Sequence, residues 1–110
     1  MRSNNLLRVC SLVIIEDNLH VNIKKVIERK NVITQYVCVK HCGDNIQTHY
    51  HVYLRFKYRL PITTISKWFV LKKKFIMNVY SSSDLIQYLL NPKDGEESTL
   101  ICSCYAKEAL

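Results

Sequence analysis

Two segments of alternating polar and apolar character, residues 32–39 and 48–56, are separated only by the short polar connection Lys40-His41-Cys42-Gly43-Asp44-Asn45. Strands this close must fold back as an antiparallel β-hairpin, because a parallel pair needs a crossover of roughly a dozen residues or more. With the turn centred near Asp44-Asn45, cross-strand partners sum to about 90 in residue number, which sets His41 opposite His49 on one face. Side chains alternate along a strand, so His49 and His51 leave the sheet on the same side while Tyr50 and Val52 leave on the other.

The remaining segments supply a sheet and its cover. Residues 6–15 (LLRVCSLVII) are nearly all apolar and rich in β-branched side chains, as a central strand covered on both faces would be. A helix is predicted from Asp17 or Asn18 through Arg29, with Leu19, Ile23, Val26 and Ile27 as its apolar stripe. Pro61 suits the first turn of a second helix, buried through Ile62, Ile65 and Phe69 and running until the lysines at 72–74. Residues 75–80 read as a fourth strand. Ser81-Ser82-Ser83-Asp84 caps a third helix through Leu90, which Asn91-Pro92 stops. The order βαββαβα predicts an α+β fold, a ferredoxin-like sandwich whose antiparallel sheet is covered by helices. Residues 1–94 make up one domain, and 95–110 a C-terminal tail whose residues 99–104 either add an edge strand or stay loose.

The chain has 110 residues and 48% hydrophobic side chains, in line with one globular core. Its longest uncharged apolar run, residues 9–15, is far shorter than the roughly 20 residues of a membrane span. Without a signal-peptide pattern the expectation is a cytoplasmic protein with no membrane partner and with its five cysteines reduced. The formal charge is +7, and the excess is local. No acidic residue occurs between Asn45 and Ser83, where Arg55, Lys57, Arg59, Lys67, Lys72, Lys73 and Lys74 lie, so this stretch is the candidate polyanion-binding surface.

His49 and His51 form a two-pronged clip for a divalent cation, and the hairpin brings His41 as a third ligand. Asp44 in the turn either approaches the same ion or orients one imidazole. A competing assembly takes Cys38, Cys42, His49 and His51 as a closed zinc site, and isolated surface histidines are the unremarkable alternative. Arg55, Lys57 and Arg59 share parity with the histidines and would contact phosphates beside the ion, while Lys67 and Lys72–Lys74 would follow the backbone further along. On a helical wheel Tyr88 flanks the stripe of Leu85, Ile86, Leu89 and Leu90, a boundary position that suits a nucleophile or an ordinary amphipathic tyrosine. Tyr80 and Tyr105 are its rivals.

The combination of His41-x-x-Asp44, His49-Tyr50-His51 with an apolar strand after it, and a helix carrying Tyr88 before Asn91-Pro92-Lys93-Asp94 resembles the nicking domain of HUH endonucleases. It is most similar to the replication initiators of small rolling-circle plasmids from Gram-positive bacteria. The resemblance implies that His49 and His51 pair on a Mn²⁺ or Mg²⁺ ion supported by His41 and Asp44, and that Tyr88 is the nucleophile. Such enzymes nick one strand of origin DNA, keep the 5′ phosphate on the tyrosine and free a 3′-OH for synthesis. Single-stranded or origin DNA is then the partner, with a host helicase and polymerase, and self-association fits as well. The location would be the bacterial cytoplasm, or the nucleus for a protein of a eukaryotic virus. Where plasmid members often carry a histidine three residues after the tyrosine this chain has Asn91, and Lys93-Asp94 is closer to the viral initiators of circular single-stranded DNA. Two other functions fit the residues: a nucleic-acid-binding module of the same fold without catalysis, and a zinc-stabilised interaction domain.

Overall fold

The computed structural model describes residues 6–43, 46–91 and 96–104. Five strands, β1 (Leu6–Ile15), β2 (Ile33–Gly43), β3 (His49–Pro61), β4 (Ile76–Asn78) and β5 (Glu96–Cys104), form one antiparallel sheet in the order β4-β1-β3-β2-β5. Three helices accompany them: α1 (Ile23–Glu28), α2 (Ile62–Phe69) and α3 (Ser82–Leu90). The fold is therefore α+β.

Parity divides the sheet into two chemical faces. Even-numbered Cys10, Leu12, Ile14, Cys38, Val52, Leu54 and Phe56 pack with Ile23 and Ile27 of α1 and Ile65 and Phe69 of α2 in the larger core. Odd-numbered Val37, Val39 and Tyr53 pack with Ile86 and Leu89 of α3 in a smaller one. Strand β1 lies inside the sheet and sends Cys10, Leu12 and Ile14 to the larger core and Val9 against the smaller one, which explains its long apolar stretch.

The register of the hairpin is the one expected. His41 pairs with His49, Val39 with His51 and Cys38 with Val52. Strand pairing nevertheless continues through Lys40 to Gly43, residues the sequence assigned to the connection, because β2 is held on its other side by β5. Ser98 of β5 is the partner of His41 there.

Helix boundaries differ from the expected ones for local reasons. Glu16–Asn18 is only a 3-10 turn, and α1 begins after Asn22, whose side-chain oxygen accepts from the Lys25 N–H at 3.1 Å. The fourth strand shrinks to Ile76–Asn78, since Lys73–Phe75 is another 3-10 turn. Helix α3 matches its expected start and end, with Ser81 as N-cap to the Asp84 N–H at 3.4 Å.

Helix α2 ends at Phe69, before the lysines, in a reverse-capped turn. Leu71 N–H donates to the Ser66 carbonyl at 3.0 Å and Val70 N–H to that of Lys67 at 3.4 Å, while the Ser66 hydroxyl donates to the Leu71 carbonyl. This closure puts Val70 in the left-handed region, φ 51° and ψ 55°. A β-branched residue there is strained by roughly 1 kcal/mol or more. The Val70 side chain is 56% exposed and contributes little packing. Val70→Gly is therefore expected to stabilise the protein by about 0.5–1 kcal/mol in urea unfolding; a loss of stability would contradict the strain.

Candidate metal centre

Three imidazoles meet on the odd face at the turn end of the hairpin. His41 comes from β2, and His49 and His51 come from β3, which parity aims at the same side. Ring centroids lie 4.7 Å apart for His41 and His51, 4.8 Å for His49 and His51, and 5.4 Å for His41 and His49. One nitrogen of each ring falls within 4.8 Å of the others, so the group can hold a metal ion.

The hydrogen bonds around the rings set their tautomers. His49 Nδ1 donates to the Gln47 carbonyl at 2.7 Å, which leaves the lone pair on Nε2. His41 is 2% exposed, and its Nε2 donates to the Leu89 carbonyl at 3.1 Å, which leaves the lone pair on Nδ1. Donation of the outer N–H to a carbonyl is the usual arrangement behind a metal-bound imidazole. His49 Nε2 and His51 Nε2 approach to 3.1 Å. Two ligands about 2.1 Å from one ion, at right angles, stand roughly 3 Å apart, so this spacing fits two adjacent coordination positions.

Strands β2 and β5 and helix α3 are tied together at one atom. The Leu89 carbonyl, in the last turn of α3, accepts from His41 and also from the Ser98 hydroxyl of β5 at 2.6 Å. Ser98 was missed by sequence reasoning. Only the pairing of β5 with β2 reveals it, since nothing in Glu96–Cys104 marks one serine over its neighbours.

Burial and the nearby rings of His41 and His49, in that order, push the His51 pKa from the usual 6.5 down to about 4. Between those values the unfolded chain carries a proton on residue 51 that the folded chain lacks, so the unfolded state binds more protons. Stability present above pH 6.5 is then lost as the pH falls toward 4. Urea titrations in chelator at pH 7 and pH 4.5 are expected to register this loss, and His51→Gln to reduce it. A midpoint that rises on acidification would contradict the assignment.

Tyr88 stands at the rim of the centre. Its ring centroid is 6.1 Å from that of His51 and 6.3 Å from that of His41, and the residue is 44% exposed. The boundary position on the helical wheel is thus realised, with the ring beside the imidazoles and partly open to solvent. Tyr80 is 94% exposed, ahead of the α3 cap. Asp44, Lys93, Asp94 and Tyr105 lie outside the described residues.

The zinc assembly with Cys38 and Cys42 does not form. Cys38 is fully buried in the α1/α2 core, across the sheet from the imidazoles, because its even number gives it the opposite parity. Cys42 shares that parity and its thiol faces Glu97, with Sγ 3.8 Å from Oε2.

The expected phosphate contacts divide between two surfaces. Arg55 lies on the imidazole face, where its Nη2 meets Ser82 Oγ at 3.5 Å and its buried Nε has no hydrogen-bond partner among the described residues. Lys57 and Arg59 follow it along β3 and are exposed. Lys67 is exposed on α2, and Lys72, Lys73 and Lys74 are exposed just beyond that helix, hence on the other side of the sheet. Comparison with known proteins finds no matching family model, no similar curated protein and no similar solved structure. Among the described residues no helix is long and apolar enough to cross a membrane.

Proposed function

We propose that this chain is a DNA nicking and strand-transfer domain of the HUH type, acting in rolling-circle replication as an initiator or part of one. The observation that carries the reading is the meeting of three imidazoles with the ring of Tyr88, 6.1 Å from His51. A metal clip and a phenol on one face are the two parts that phosphodiester transfer through tyrosine requires. The strand order β4-β1-β3-β2 with α1 and α2 on one face supports a ferredoxin-like sandwich, to which β5 adds an edge.

In this reading His41, His49 and His51 hold a Mn²⁺ or Mg²⁺ ion, with Asp44 as a further support. The ion would stabilise the negative charge that grows on the phosphate oxygens during displacement. Tyr88 Oη attacks the phosphorus, its proton passes to solvent, and the bond from phosphorus to O3′ breaks. The 5′ phosphate stays on the tyrosine and a 3′-OH is released. Because a phenol is also a fair leaving group, a later 3′-OH can reverse the step and reseal the strand. Arg55, Lys57 and Arg59 position the single strand through its phosphates. A host helicase and polymerase would act beside it in the bacterial cytoplasm, or in the nucleus for a viral protein.

The test is incubation with a randomised pool of single-stranded DNA and Mn²⁺, followed by denaturing electrophoresis. A covalent protein–DNA species that chelator prevents is the expected result. Its absence with both Mn²⁺ and Mg²⁺ would remove the catalytic reading.

A further inference from the structure

The side of the sheet away from the imidazoles carries a groove that the proposed chemistry does not use. It runs between α1 and α2, has a volume of about 490 Å³, and is lined by Lys25, Arg29 and Lys30 on one wall and Lys67 and Trp68 on the other, along with Val21, Asn22 and Val26. Among the described residues no acidic one lines it. Helix α1 sorts its charges to produce this result. Glu28, the one acid of the helix, and Lys24 both act on Cys102 of β5, whereas Lys25 and Arg29, one position further on, turn toward α2. Among the described residues none of the four cations takes part in an ion pair. Lys30 is held over the indole, its Nζ 5.1 Å from the ring centroid of Trp68. Four uncompensated positive charges in one groove repel each other, and a polyanion relieves that repulsion while releasing its own counterions.

We propose that the α1/α2 groove is a separate nucleic-acid site that grips the phosphodiester backbone of double-helical DNA. Two observations select this partner. Its apolar lining residues, Val21, Val26 and Trp68, are half-buried and none of the large exposed apolar side chains reaches it, so nothing projects as the wedge that a membrane-surface site needs. Its one aromatic residue is half-buried beneath Lys30 and offers no open stacking platform of the kind single-stranded DNA uses. The groove faces away from the metal centre, so duplex can be held there without metal while a single strand occupies the other face.

Trp68 is the only tryptophan in the chain, which makes its emission a local reporter. A mixed-sequence duplex of about 20 base pairs, titrated in chelator, is expected to change that emission as it binds. The exposed-residue variant K25Q/R29Q/K67Q should bind ~10-fold more weakly or worse, with the salt slope reduced by about 2 to 3, since each lost phosphate contact removes ~0.9. A control of equal charge, R8Q/K24Q/K40Q, should lose less than about 3-fold, with thermal melting verifying that both variants fold. Equal weakening in the two variants, binding with unchanged Trp68 emission, or tighter binding to phosphatidylserine vesicles than to duplex would each overturn the proposal. Because chelator is present throughout, failure of the nicking reaction leaves these results intact.

Discussion

Tyr88→Phe protein is expected to form no covalent DNA species under conditions where the parent does, a loss of at least ~10³-fold in adduct yield. The substitution removes one oxygen and keeps the ring. At 44% exposure, with Ile86 and Leu89 carrying the packing of α3, the retained ring should leave the protein folded, which thermal melting checks. DNA and metal affinity are then expected to stay near the parental values. That separation matters, because a phenol acting only as packing would leave adduct formation untouched as well. Survival of the adduct in Tyr88→Phe would transfer the role to another tyrosine, with Tyr80 the most exposed alternative among the described residues.

His51→Ala is expected to reduce Mn²⁺ affinity about 100-fold or more in calorimetric titration. His51 lies within 4.7 Å of the His41 ring and 4.8 Å of the His49 ring, so its removal leaves two nitrogens where three converged. An ion present at about 100 times its dissociation constant stabilises the folded parent by about 2.7 kcal/mol. The corresponding rise in melting temperature should vanish in the variant. Three neutral nitrogens and no described carboxylate also favour a transition-metal dication over Mg²⁺, which prefers oxygen ligands, so Mn²⁺ should bind the parent more tightly than Mg²⁺. An unchanged Mn²⁺ affinity in His51→Ala would show that the imidazoles merely hydrogen-bond to one another, as His49 and His51 can at 3.1 Å.

Much of this centre was legible before any coordinates. The pairing of His41 with His49 follows from the length of one polar connection, and the common face of His49 and His51 follows from strand pleating, both of which are local geometry. The α3 cap was equally legible, because Ser81 needs only its own helix to act. Residues whose state depends on a distant partner were not. Asp17 and Asn18 read as the cap, whereas the helix begins only after Asn22 and the two earlier residues sit in a 3-10 turn. Residues Lys40 to Gly43 looked like a turn because β5, which pairs with them, begins more than 50 residues later.

By itself, then, the order of residues determined the hairpin, its register and the side on which two histidines emerge, since neighbours along a strand have no freedom to choose otherwise. Tertiary structure decided what stands across from them. It brought the Tyr88 ring to the imidazoles and tied Leu89 to His41 and Ser98. It also divided the cations of one acid-free stretch between two surfaces, and joined Lys67 to Lys25, Arg29 and Lys30 across the helix layer. Charge along a chain records how many cations there are, but only packing assigns each to a face, because a sheet one residue thick separates sequence neighbours more completely than it separates distant helices.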